Sequence, residues 1–249
     1  MLVLLSNDDG IDAAGLSALE RALDGLGELW TVAPATEQSA RSHSFTMNEP
    51  LRVIQHGERR VAVTGTPADS VYLAIHSILP RRPALVVSGI NRGSNLSTDV
   101  IYSGTVAAAR EGVANDIPAL AVSLHIPDGE TDLHWPAAEV AARKMAEAVV
   151  AHGLPPGILL NINVPNLATP HGIRIAPMGR RRYAPLVHEQ RDPRGRSFFW
   201  IGGPHERFDG DDDSDGPLCE AGFVVVTPLQ LDLTATSTMA TLRTWEIEH

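Results

Sequence analysis

A mostly parallel α/β sheet with helices on both faces is the fold this sequence predicts, and three observations carry it. Short, continuous apolar runs of strand length recur, the pattern of strands buried on both faces. Between them lie segments with apolar residues at three- and four-residue spacing, as in helices that bury one stripe. At 249 residues, 43% hydrophobic and 20% charged, the chain suits one large globular α/β domain, alone or with a smaller appendage.

Leu2–Ser6 is the first apolar run. Leu16, Leu19, Leu23 and Leu26 predict a helix over Ala14–Leu26, and Glu28–Ala33 reads as the next strand, stopped by Pro34. Arg60–Thr64 is a strand leading into Gly65-Thr66-Pro67-Ala68-Asp69. There Thr66 can cap a helix that has Pro67 at its first position and runs to Leu79. Ala84–Ser88 is a strand, Gly89–Gly104 a long loop, and Thr105–Ala114 an alanine-rich helix. Leu120–Leu124, Pro136–Ala151 and Ile158–Val164 read as strand, helix and strand. Such βαβ alternation gives a parallel sheet whose ligands bind at the carboxyl ends of the strands. Two loops, Asn7–Gly10 and Gly89–Gly104, open on that edge.

Residues 1–169 therefore form the expected core, and 170–249 an extension that is hairpin-rich and sends one strand, Gly222–Thr227, back to the core. Within it Arg180–Arg182, Arg191, Arg194 and Arg196 are interspersed with Tyr183, Phe198, Phe199 and Trp200. Three consecutive aromatics predict an arm packed on another subunit; the alternative is a surface hairpin with solvated arginines. Asp211-x-Asp213-x-Asp215-Gly216 opens like an EF-hand loop, but its twelfth position is Gly222 rather than Glu, so a solvated acidic loop is expected.

A net charge of −10 argues against nucleic-acid polymers, which demand clustered Lys and Arg. Small phosphorylated ligands stay open, because a bound cation reverses the local field. The single Cys219 allows no intrachain disulfide, as suits a reducing compartment. Met1–Leu5 is short for a signal peptide and has no basic start, and no apolar stretch approaches the roughly 18 residues of a membrane span. The expectation is a cytoplasmic protein with no membrane partner.

Ser6-Asn7-Asp8-Asp9-Gly10 is the strongest local feature. Adjacent carboxylates at a strand end repel each other, and a hard divalent cation relieves that repulsion. The competing reading is an Asx-turn at the start of a helix. In Asn91-Arg92-Gly93-Ser94-Asn95, Asn91 and Asn95 offer neutral oxygen ligands or amide donors, on a loop long for a plain connector. Ser103-Gly104-Thr105 enters a helix, whose free N–H groups suit phosphate, although for an isolated serine or threonine before a helix Thr105 as a simple N-cap is the better reading of the residues alone. There is no HExxH, no GxxxxGK[ST], and no GxGxxG after the first strand, which weakens zinc-hydrolase, P-loop and dinucleotide readings.

Together these motifs resemble the SurE family, stationary-phase survival proteins that act as 5′/3′-nucleotidases. The likeness runs through Ser6–Asp12, Ala33-Pro34 with Glu37-Gln38-Ser39, Gly65–Asp69, Ser88–Leu96 and Tyr102–Val106. It continues in Asn161–Pro165, Asp192–Arg196 and Val226–Leu229. By that resemblance Asp8, Asp9, Ser39 and Asn95 hold one Mg²⁺ or Mn²⁺ per subunit on a Rossmann-like three-layer core, and the C-terminal region assembles a homodimer or homotetramer. It implies hydrolysis of nucleoside 5′- and 3′-monophosphates, with polyphosphate as a further substrate. Asp8 and Asn91 are the expected catalytic residues, and Ser103, Gly104 and Thr105 the phosphate-binding ones. Arg41 stands where the family usually carries glycine, so it contacts substrate or tightens its loop. Two other classes use the same residues: a phosphatase with an aspartyl nucleophile, for which Asp8-Asp9 lacks the spaced D-x-D, and a non-catalytic nucleotide sensor.

Overall fold

The computed structural model describes residues 1–209 and 211–245. The chain begins with β1 (Leu2–Ser6), α1 (Ala14–Leu23), β2 (Glu28–Pro34), β3 (Val53–Gly57) and β4 (Arg60–Val63). α2 (Pro67–Leu73) follows, extended by a wider π-type turn over Ala74–Ile78. β5 (Leu85–Arg92) passes through a 3₁₀ turn at Ser97–Ile101 into α3 (Gly104–Ala114), then β6 (Ala119–His125), α4 (Trp135–His152) and β7 (Ile158–Pro165). The remainder holds β8 (Ile173–Ile175), β9 (Arg180–Tyr183), β10 (Val187–Arg191), β11 (Ser197–Ile201) and β12 (His205–Asp209). It ends with α5 (Asp215–Glu220), β13 (Val224–Gln230) and α6 (Thr236–Leu242).

One nine-stranded sheet runs β3-β4-β2-β1-β5-β6-β7-β13-β8. From β4 to β7 all neighbours are parallel. β3 and β13 join antiparallel. Alternate strand residues face opposite layers. Val3, Leu5, Leu85 and Val87 pack with Leu16 and Leu19 of α1 and Ala138 and Ala142 of α4. Leu4, Val86, Ala119 and Ala121 pack with Val71 of α2 and Val106 and Ala109 of α3. This is the expected α/β class. After β1 the chain builds β2 and β4 on one side, then crosses to β5 on the other. The strand order reverses between β1 and β5, and a crevice opens there at their carboxyl ends.

Several elements depart from the sequence reading. α1 stops at Leu23 because Asp24 leaves the helical region (ψ 136°), yet Leu26 still packs on the core from the turn. β3 was not anticipated: all five residues are exposed, so this edge strand carries no apolar alternation to read. β5 runs four residues beyond Ser88, with its register on β6 shifting between Ser88 and Asn91. The acidic stretch is not wholly solvated. Asp215 is fully buried and accepts from Ser97 N (2.6 Å), Ser97 Oγ (2.5 Å) and Gly179 N (3.0 Å), pinning the 3₁₀ turn to the chain that enters β9.

β9 pairs with β12 and β10 with β11, both antiparallel, so the extension carries an arm of two-stranded ribbon. Phe199 and Trp200 are 59% and 63% exposed on it. β13 returns to the sheet beside β7. Among the described residues no helix is long and apolar enough to cross a membrane.

Candidate functional site

β1 delivers Asn7, Asp8 and Asp9 to the crevice. Asn7 Nδ2 donates to Gly10 O (2.9 Å), closing the turn, and Gly10 takes φ +100°, a conformation that favours glycine. Ile11 N donates to Pro34 O (2.8 Å) and Gln38 N to Asp8 O (2.7 Å), so the segment after β2 is registered against the turn and carries Ser39 beside it. Ser39 Oγ donates to Glu37 Oε1 at 2.9 Å.

Asp8 is buried, and Thr105 Oγ1 donates to its carboxylate. Burial lifts its pKa to about 6; the Thr105 bond opposes that rise, and the neighbouring charge of Asp9 adds to it. Burial also raises Asp9, against the Arg92 N–H that donates to it at 3.1 Å, while Glu37 adds repulsion. Both carboxylates are held close where ionisation is costly.

Asn95 is fixed from three sides. Its N–H donates to Asn163 Oδ1 (2.8 Å), its carbonyl accepts from Asn161 Nδ2 (2.8 Å) and Asn163 Nδ2 (3.1 Å), and its Nδ2 donates to Ser123 Oγ (2.8 Å). Its Oδ1 is left without a partner among the described residues. Asn91 Nδ2 donates to Gly93 O at 2.7 Å. Ser103, not Thr105, caps α3, accepting from Val106 N at 3.0 Å.

Asp8, Asp9, Ser39, Asn91, Asn95 and Ser103 all line one cavity of about 1010 Å³. The other two residues expected at the phosphate lie behind it. Thr105 is fully buried with its hydroxyl given to Asp8, and Gly104 packs on the Asp8 side chain. Among the described residues the cavity has six carboxylates on its wall (Asp8, Asp9, Glu37, Asp99, Asp128 and Glu130) against one cationic side chain, Arg92. An anionic ligand enters such a wall only with a cation to offset it. Among the described residues no three His, Cys, Asp or Glu side chains group as a metal cluster, so an ion here needs the neutral oxygens of Ser39 and Asn95 beside the two aspartates.

Some contributors were not read from the sequence. Glu37 had appeared only inside a motif, and its charge acts on Asp9. Asn161 and Asn163 share one face of β7, the period-two signal that would have marked them as paired supports. Tyr183 reaches the cavity from β9, and nothing local signalled it.

Comparison with known proteins bears on the family and the fold. A family model described as "Survival protein SurE" matches residues 3–185. The 5′-nucleotidase SurE of Symbiobacterium thermophilum is 48% identical over 255 residues, covering 99% of this chain and 98% of that one. The 5′-nucleotidase SurE of Geotalea daltonii is 46% identical over 252 residues, covering 99% and 100%. The crystal structure of the SurE protein from Aquifex aeolicus superposes with a TM-score of 0.85 at 37% identity, over 98% of each chain.

Proposed function

The chain belongs to the SurE family, and we propose that it is a metal-dependent 5′-nucleotidase releasing phosphate from nucleoside monophosphates. The observation that carries this reading is the carboxylate-rich cavity at the β1–β5 crevice, where a phosphate needs a cation to bind. We assign Asp8, Asp9, Ser39 and Asn95 as holders of one Mg²⁺ or Mn²⁺ per chain, an all-oxygen set that suits a hard cation. A divalent ion bound there supplies Lewis-acid polarisation of the phosphate and an acidified water.

The chain's own residues do the rest. Thr105 fixes the Asp8 carboxylate instead of touching phosphate, a different role from the one expected of it. Ser103, whose Oγ accepts from Val106 N, keeps its O–H for the phosphate. Asn91, its Nδ2 held by Gly93, offers Oδ1 to the attacking water, which Asp8 also orients. The cavity volume admits a whole nucleotide, so 3′-monophosphates and short polyphosphate belong to the same reading. The buried, unpaired Cys219 fits a cytoplasmic setting.

Phosphate release from a panel of 5′- and 3′-nucleotides and polyphosphate tests this, first with EDTA and then with Mg²⁺ or Mn²⁺ restored. Release from 5′-nucleotides only with metal is expected. Folded protein that binds nucleotide but releases no phosphate would make it a sensor, and a trapped phospho-enzyme would point to an aspartyl nucleophile.

The arm serves self-association in this proposal, as a homodimer or homotetramer. A two-stranded ribbon is marginal alone, and this one leaves Phe199, Trp200 and Ile201 exposed. Sedimentation of the wild type should show an oligomer, and the double variant Phe199→Glu with Trp200→Glu a smaller species. A wild type that sediments as a monomer removes this role.

A further inference from the structure

Among the described residues Tyr183 is the one cavity-lining residue contributed by the arm, and the way it is held gives it a purpose. Its hydroxyl donates to Asp99 Oδ2 at 2.6 Å. Asp99 lies in the 3₁₀ turn just after Asn95, and the same carboxylate oxygen accepts from Arg181 Nη1 at 2.8 Å. Arg181 Nη1 also donates to Ser94 Oγ at 3.0 Å, next to Asn95 in the chain. Arg181 N and Thr98 Oγ1 meet at 3.3 Å, tying the strand itself to that turn. Tyr183 is thereby fixed to the segment that carries a proposed metal ligand, though 88 positions separate Asn95 from it in sequence.

The ring is built as a platform. The Arg181 guanidinium carbon lies 5.1 Å from its centroid, covering one face, yet the residue is 44% exposed. The His205 ring packs against it T-shaped at 6.1 Å, and Tyr183 lines the polar cavity with part of its surface exposed. A cation over one face of a ring adds to the attraction of a π-system on the other. Asp99, paired with Arg181 and bonded to the tyrosine, does not repel an anionic ligand as a free carboxylate would. Trp135 and Tyr102 line the same cavity; Trp135 is half-buried and packed against the core, and Tyr102, although 64% exposed, has no cation over its ring among the described residues, whereas Tyr183 has Arg181.

We propose that Tyr183 is the stacking platform for the base of the nucleotide, with Asp99 and Arg181 as positioning residues, and that the arm thereby completes the nucleoside end of the site. The inference rests on the nucleotidase reading. Stacking uses the π-face that every base has, so it predicts broad acceptance of bases, with purines held better than pyrimidines.

Steady-state kinetics on AMP and on ribose 5-phosphate, which has no base, separate the outcomes. In the full-length Tyr183→Leu protein the ratio of kcat/KM for AMP over ribose 5-phosphate should fall about tenfold, mainly through the KM for AMP. Tyr183→Phe, which keeps the ring, should restore most of that ratio. An unchanged ratio in Tyr183→Leu, or an equal loss on both substrates, overturns the platform while the nucleotidase reading stands. A wild type that hydrolyses ribose 5-phosphate but not AMP overturns both.

Discussion

Asp8→Asn is expected to lower phosphate release by about 10³-fold while making the metal-free protein more stable, a combination that a merely structural aspartate would not give. The activity loss follows from removing one of two charges that hold the cation. The stability gain follows from the Asp8 pKa, raised by burial from 3.8 to about 6. Between those values the folded chain keeps a proton that the unfolded chain releases, so the stability of the metal-free wild type falls as pH rises through that window. Above it the ionised carboxylate costs about 3 kcal/mol. Asparagine keeps the oxygen that accepts from Thr105 and never ionises. Thermal melts of EDTA-treated proteins should therefore place Asp8→Asn above wild type by several degrees at pH 8, and level with it near pH 4. Added Mn²⁺ should raise the wild-type melt and leave the variant unmoved. A variant that melts below wild type at pH 8 would contradict the account of a destabilising buried charge.

Gly104→Ala should be damaging despite a helix propensity that favours alanine by about 1 kcal/mol. A Cβ at this position would lie 2.7 Å from Asp8 Cβ, 2.9 Å from Asp8 Oδ2 and 3.1 Å from Pro67 Cγ. Either α3 backs away from β1 or Asp8 leaves its bond with Thr105. Overpacking of this kind costs about 1–3 kcal/mol, which outweighs the propensity gain. The displacement of Asp8 should lower kcat by about 10²-fold. Chemical denaturation and kinetics on one preparation check both effects. Gly104→Ala at or above wild-type stability would mean that α3 and β1 are not in the close contact described.

The central sheet was legible because its strands are buried on both faces and their sequences are correspondingly apolar, as in Leu2–Ser6. The two loops of the site could be placed as well, since a parallel sheet puts its ligands at one edge. Ser39 came from family resemblance, because a lone serine carries no spacing signal; the long loop offered Asn95 as an oxygen ligand or amide donor, and resemblance singled it out as a metal ligand. What joins them to Asp8 is the Gln38 N–H bond to the Asp8 carbonyl and the pair of β7 asparagines, both long-range contacts. Thr105 read as a phosphate donor or cap because its burial under Asp8 depends on how α3 meets β1. Asp215 read as a solvated loop residue for the same reason: the turn that needs its carboxylate lies 118 positions away. β3 and the ribbon strands were the least legible, being exposed and free of the period that burial imposes.

The most direct test of the central claim is a titration of metal-stripped protein with Mn²⁺, followed by the loss of the free-ion electron paramagnetic resonance signal and by AMP hydrolysis on the same samples. One Mn²⁺ bound per chain, with activity rising in step and both lost in Asp8→Asn, is the predicted result. Full AMP turnover by protein with no bound metal, or undiminished Mn²⁺ binding in Asp8→Asn, would contradict the site assigned at the ends of β1 and β5.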